Sequence, residues 1–413
     1  MSRALRFLVG VVLLLGGGCS SLAPLLSTPT PVPVSHPVST PQSVATQTAL
    51  PATEARILRV WLPPQFDPNG ETESANLLKQ RLIGFESQHP GLEIEVRIKA
   101  EDGEAGLLNS LSITSIAAHT ALPDLIALPR PALEAAALKG LLHPIDGLST
   151  ALQDPDWYGY ARQMGHIQNI GYGLPFAGDA LALVYQPDID ALNNWNDIFV
   201  AKKTLVFPAS DPQGLVGLCL YVSAGGEILD TTGLPTLDQN ELIRVLTWVE
   251  NGVSSGVLSP SLTNVITDAQ ALETFRSGDA DIAITWAFNI PVESSLVPLP
   301  GLSDSNYSFA TGWVWALAGS NAENQQMAIE LAEYLVADDF IGDWTQDAGY
   351  LPTRPSGAVD RDSATVAIVE SAQAIPSNDV LLVLGPLMQE ALTRVLNGEQ
   401  PEVVAGSVIE KLK

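Results

Sequence analysis

The chain has 413 residues, 46% hydrophobic and only 16% charged, so it is long enough for two or three domains and can bury large cores. Lys and Arg number 20 against 46 Asp and Glu, a net charge of −26 that repels phosphate backbones and argues against a nucleic-acid partner. Two cysteines, Cys19 and Cys219, exclude a disulfide-dense scaffold. The five scattered histidines show no paired metal spacing, so neither metal nor cofactor is expected.

Residues 1–18 read as a secretory signal peptide. Arg3 and Arg6 supply a positive start, and Phe7 to Leu15 an apolar run too short for a membrane-spanning helix of about 20 residues. Gly16, Gly17 and Gly18 lead directly into Cys19. This resembles a bacterial lipoprotein signal, although that pattern prefers a branched aliphatic residue where Gly16 stands. The resemblance implies an acylated Cys19 as the mature N-terminus and lipid anchoring on the extracytoplasmic face of the cell membrane. Residues 20–55 hold seven Pro and twelve Ser or Thr, no Lys or Arg, and the single acid Glu54. Such a stretch buries too little apolar surface to offset its ordering entropy. The span 19–55 is therefore expected to be a tether, reaching up to roughly 100 Å when extended.

From Ile57 the chain alternates short β-rich runs with helical ones, the punctuation of an α/β protein. Ile57–Leu62 reads as a strand ended by Pro63-Pro64. Ser74–Gln88 places Leu78, Leu82 and Phe85 at helical spacing before the His89-Pro90-Gly91 stop. Leu92, Ile94, Val96 and Ile98 alternate with polar residues, as in a strand. Helix over Glu104–Ala118, strand over Asp124–Leu128 and helix over Pro131–Lys139 follow, with Gly140 just past the last. In the second half Thr204–Phe207, Asp281–Thr285 and Gly312–Ala318 read as strands. Helices are expected from Asp238 to about Glu250, over Asn321–Val336, and over Leu381–Leu396 with a break or kink at Pro386. The order implies a largely parallel sheet with helices on both faces. Residues 57–413 exceed one ordinary core, so two lobes are expected.

Seven stretches in order carry a family resemblance: FESQHPGLEIEV (85–96), LPDLIAL (122–128), GLLHPID (140–146), YGLPFAGDALALVYQPDI (172–189), FRSGDADIAITW (275–286), GWVWALAGSNAENQQMAIELAEYLV (312–336) and GYLPTRP (349–355). Together they span most of 57–413 and resemble the family 1 extracellular solute-binding proteins of bacterial ABC transporters, the sugar- and maltose-binding group. The resemblance implies an α/β, bilobal periplasmic-binding-protein-like fold of type II, with two α/β lobes joined by hinge crossovers. Lobe one would hold 57–177 and 291–345, and lobe two 178–290 and 346–413. It implies a monomer that is not an enzyme and that captures a small-molecule solute between the lobes by hinge closure. The loaded protein would be presented to ABC permease subunits.

Sugar clefts need aromatic faces against the apolar sides of the rings and polar groups for the hydroxyls. The resemblance places eight candidates near such a cleft. Trp61 ends the first strand and Asp67 lies in the next loop. Phe176 and Asp179 sit in the first crossover, Trp286 and Phe288 follow the strand at 281–285, and Trp313 and Tyr350 flank the later crossovers. Each also has a structural reading, as strand packing, hinge packing or a solvated loop acid. Trp313 and Trp315 alternate on one strand, so at least one is expected in the core. Sugar-binding relatives carry an aromatic late in the chain, whereas NDVLLVLGPLMQEAL (378–392) has none, which argues against a long maltodextrin.

Rival functions rest on thinner signals. Asp154/Asp156 and Asp279/Asp281 resemble glycosidase carboxylate pairs but read better as turn and capping acids. The loop DPNGETE (67–73) lacks EF-hand spacing. A carrier of polyamines or other cations would use the same fold, with cleft carboxylates and aromatic walls around an ammonium. A lipoprotein that reports a solute to a sensor is a third reading.

Overall fold

The computed structural model describes residues 56–412 except 190, 191, 291–293, 304 and 320. The expected signal peptide, tether and Cys19 lie outside the described residues.

Local rules account for most elements. Thr72 caps helix Glu73–Gln88 by accepting the Ala75 N–H at 3.1 Å, and the helix buries Leu78, Leu82 and Phe85. Asp238 caps helix Gln239–Ser255 through the Asn240 N–H; the helix runs to Gly256, whose left-handed backbone (φ 77°) terminates it. Helix Asn378–Leu396 runs through Pro386 without the expected break. The carbonyl that Pro386 leaves unpaired is that of Leu382, a residue exposed to solvent.

The sheet is mixed rather than largely parallel. Among the described residues nine strands connect, seven of them in the order Leu92–Ile98, Arg56–Leu62, Leu125–Pro129, Ser308–Leu317, Gly173–Tyr185, Ile282–Trp286 and Leu205–Val206. Pairing is parallel at the two ends of this order. It is antiparallel from Leu125–Pro129 through Ser308–Leu317 and Gly173–Tyr185 to Ile282–Trp286, while Ser308–Leu317 also pairs in parallel with Ala372–Ala374. The sequence reading counted βαβ units and missed that these two long strands return through the middle.

Two hydrophobic cores lie along the sheet, one per lobe. The strand Gly173–Tyr185 belongs to both: Ala177 and Ala180 pack in the first, Leu183 and Val184 in the second. Its first half pairs with Ser308–Leu317, and its second with Ile282–Trp286 and Ser295–Pro298. Each core draws on separate stretches of the chain. Leu299 and Phe309 pack in the second core, and Leu351, Ile368, Val369 and Ala372 in the first. The reason is that strand Ser308–Leu317 starts beside the second core and crosses into the first along its own length, and the chain returns only after strand Ala372–Ala374.

Backbones approach closely at the crossing. Gly178 pairs with Gly312 on one side and exchanges two hydrogen bonds with Leu351 on the other, at 3.0 and 2.8 Å. A Cβ on Gly178 would overlap the Tyr160 hydroxyl, which donates to the Pro352 carbonyl at 2.7 Å. Glycine is the residue that fits there.

Candidate ligand-binding cavity

Where the cores meet, a cavity of about 260 Å³ opens to solvent. Its aromatic lining is Trp286, Phe288, Trp313 and Tyr350; its polar side chains are Asp179, Glu101, Gln65 and Thr311; Pro129 and Gly312 complete it. Among the described residues no Lys, Arg or His lines it.

Strand ends and loops deliver these groups. Gln65 and Glu101 follow strands Arg56–Leu62 and Leu92–Ile98, and the Gln65 amide donates to Glu101 at 2.9 Å. Pro129 ends its strand. Ligands in open α/β sheets bind beyond the carboxyl ends of strands, and these residues occupy that position. Trp286 ends strand Ile282–Trp286 and a single turn, Ala287–Asn289, brings Phe288 alongside.

Two carboxylates pin this turn. Asp268, in the first turn of helix Asp268–Arg276, accepts the Trp286 N–H at 3.2 Å. Asp179 accepts the N–H of Phe288 at 3.0 Å and of Ala180 at 2.9 Å. Burial pushes the Asp179 carboxyl up to about 8, against the lowering effect of these N–H donors and with added repulsion from Asp268. Burial thus favours the protonated Asp179 carboxyl, a form that both donates and accepts.

The aromatic wall is braced from behind. Phe288 stacks on Tyr350 with ring centroids 4.2 Å apart, and Phe66 lies edge-on to Trp313 at 5.1 Å and to Phe176 at 5.2 Å. Burial, with the negative charges of Asp179 and Glu101, raises the Tyr350 phenol far above its ordinary value, so it remains a neutral donor. Such a surface presents flat apolar faces beside hydrogen-bonding groups, with the Glu101 carboxylate at its side.

Five of the sequence candidates, Asp179, Trp286, Phe288, Trp313 and Tyr350, meet at this cavity. The other three do not line it. Trp61 is 2% exposed in the first core with the Lys99 ammonium 4.9 Å from its ring. Phe176 is 1% exposed and stacks on Trp315 at 4.3 Å, one layer behind the wall. Asp67 sits half-buried in its loop, accepting the Asn69 N–H at 2.9 Å. Gln65, Glu101, Pro129 and Thr311 were missed, though the strand-end rule reaches the first three. The acid pairs have structural partners: Asp156 holds Ser356, and Asp281 holds Thr204. Among the described residues no group of three or more His, Cys, Asp or Glu is placed to hold a metal ion. None of the described helices is long and apolar enough to cross a membrane.

Residues 84–369 match the family described as bacterial extracellular solute-binding protein. No curated protein sequence matches the chain. Solved structures share the fold at low identity. The maltose-bound MalE3 of T. maritima aligns with TM-score 0.64 and 20% identity, covering 87% of this chain and 99% of its own. A cyclo/maltodextrin-binding protein complexed with maltotetraose aligns with TM-score 0.69 and 19% identity, covering 86% and 96%. The cyclic alpha-maltosyl-1,6-maltose binding protein from Arthrobacter globiformis gives TM-score 0.67 and 15% identity, covering 86% and 98%.

Proposed function

Because this chain belongs to the bacterial extracellular solute-binding protein family, we propose that it captures a short neutral sugar, of one or two rings, in the cavity between its lobes. The observation that carries this reading is the convergence of four aromatic residues with Asp179, Glu101, Gln65 and Thr311 on one cavity, with no basic side chain among the described residues that line it. Trp286 and Phe288 offer faces for the apolar side of a ring. Asp179, whose burial favours the protonated form, and Tyr350 offer hydrogen bonds to hydroxyls. Trp61 and Phe176 support the wall from the core. Asp67 has no direct part, since its loop turns on its own backbone contact. The volume of about 260 Å³ lies just below the range of about 300–1,000 Å³ for sites holding drug-sized ligands, which favours a short ligand.

The ligand-loaded protein hands its solute to an ABC permease, and Cys19 carries the lipid that keeps it at the extracytoplasmic face of the membrane. The family and the solved structures with this fold are binding proteins, and no catalytic step is proposed.

One observation favours a second reading. Glu101 and Asp179 are both acids and nothing basic lines the cavity, an arrangement that also suits an organic cation against aromatic faces. The two readings part in their proton linkage. A cation would draw the Asp179 proton off, so its affinity would rise with pH up to about 8; a sugar's would not. Calorimetric titration of glucose, maltose and spermidine at pH 6 and pH 8.5 tests this.

A further inference from the structure

Helix Arg130–Leu138 packs into the first core through Leu133, Ala136 and Ala137. Helix Asn378–Leu396 packs into the second through Val380, Leu381 and Leu384. The two helices touch across the lobes. Glu134 Oε1 accepts the backbone N–H of Asn378 at 2.9 Å, and Asn378 Nδ2 donates to the Pro131 carbonyl at 2.9 Å. The helix's own N-cap residue, Ser377, makes no side-chain capping bond. A first-turn donor of the second-lobe helix is thus satisfied by a carboxylate of the first lobe, where the helix dipole also favours negative charge.

The carboxylate is held for this contact. Glu134 is 4% exposed and Arg130 8%, and Arg130 Nη1 donates to Glu134 Oε2 at 2.7 Å. A buried carboxylate without its counter-charge is strongly destabilising, so the Arg130 pairing keeps Glu134 available in place. Arg130 and Pro131 directly follow Pro129, which lines the cavity, and Asn378 follows strand Ala372–Ala374, after which the chain crosses into the second core.

We propose that Arg130, Glu134 and Asn378 form an interlobe latch that holds the cleft closed without a bound solute. Opening the cleft separates Glu134 from Asn378. It leaves the helix's first turn uncapped and exposes the Arg130–Glu134 pair to water. Solute then adds to a closure that the protein already favours, rather than supplying all of it.

Small-angle scattering from the ligand-free full-length chain tests the latch, comparing wild type with Glu134→Ala, Glu134→Gln and Asn378→Asp. Glu134→Ala removes the acceptor. Asn378→Asp leaves the buried pair intact but sets a second carboxylate against Glu134 and the Pro131 carbonyl, so it reads the latch even if Glu134→Ala fails to fold. Glu134→Gln keeps an acceptor for the Asn378 N–H. The latch predicts a larger radius of gyration for Glu134→Ala and Asn378→Asp, with Glu134→Gln between them and wild type and all folded by circular dichroism. Equal radii for wild type and folded Asn378→Asp would overturn it. No solute enters the measurement, so its outcome is independent of whether the ligand is a sugar.

Discussion

The Asp179 carboxylate accepts the backbone N–H of Phe288 at 3.0 Å, joining two residues 109 positions apart in the sequence. One comes from the strand that threads both cores and the other from the turn that carries the cavity's aromatic rings. That one bond fixes where Phe288 stands and costs the protein a buried, raised-pKa carboxyl.

The cost has a defined pH dependence. Asp179 titrates at about 8 in the folded chain against an ordinary 3.8, so the folded state holds a proton that the unfolded state has released. Its contribution to stability therefore falls as pH rises from about 4 to about 8. Asp179→Asn removes the titration and keeps an acceptor for the Phe288 N–H. The melting temperature of the variant relative to wild type should climb across that window, by at most ~1.4 kcal/mol of stability per pH unit. Parallel melting curves from pH 4 to pH 8 would show that the carboxyl is not held in this way.

Trp286 and Trp313 line the same cavity but differ in burial, and their substitutions should separate binding from stability. Trp286 is half-buried, so Trp286→Ala should weaken solute binding by about 1–3 kcal/mol and change the melting point little. Trp313 is 5% exposed and packs edge-on to Phe66, so Trp313→Ala should lower stability by about 3–5 kcal/mol in chemical denaturation.

At the crossing of the lobes, Gly178→Ala should destabilise the chain by about 1–3 kcal/mol through overlap with the Tyr160 hydroxyl. Tyr160→Phe removes that hydroxyl. The double variant should then be less destabilised than the sum of the two single changes, and a double-mutant cycle in urea reads the coupling. Strict additivity would place the cost of Gly178→Ala elsewhere.

Lipidation of Cys19 is tested by Cys19→Ser. The proposed anchor predicts that wild type enters the detergent-rich phase of an extraction and the variant the aqueous phase. Wild type that stays aqueous and retains Met1 would remove the anchor from the account.

Much of the fold was legible because its signals are local. Thr72 before Leu78, Leu82 and Phe85, and His89-Pro90-Gly91 after them, mark helix Glu73–Gln88 to within one residue. The alternation at Leu92–Ile98 marks that strand at both ends. The strand Gly173–Tyr185 was not legible as such. Its apolar positions do not alternate because two cores and three neighbouring strands bury it on all sides. At Pro386, where a break or kink was expected, the helix is not interrupted, and the carbonyl it frees belongs to the solvent-exposed Leu382. At the site, aromatics and acids near crossovers stand out in the sequence. Which of them face the cavity does not, since Phe176 and Trp313 differ by one layer of packing around Phe66. Glu101 and Gln65 are exposed polar residues just beyond strand ends, a position that the strand-end rule marks but their residue types do not.

The central claim is that the cavity takes a short neutral sugar, and a thermal-shift titration of the full-length chain tests it most directly. Glucose, maltose and maltotetraose form one arm; putrescine and spermidine form the other. The account predicts that glucose or maltose stabilises the chain by about 2.7 kcal/mol at 100 times its dissociation constant. Maltotetraose should bind more weakly, and Trp286→Ala should abolish most of the shift. Stabilisation by spermidine with none from any of the three sugars would contradict it.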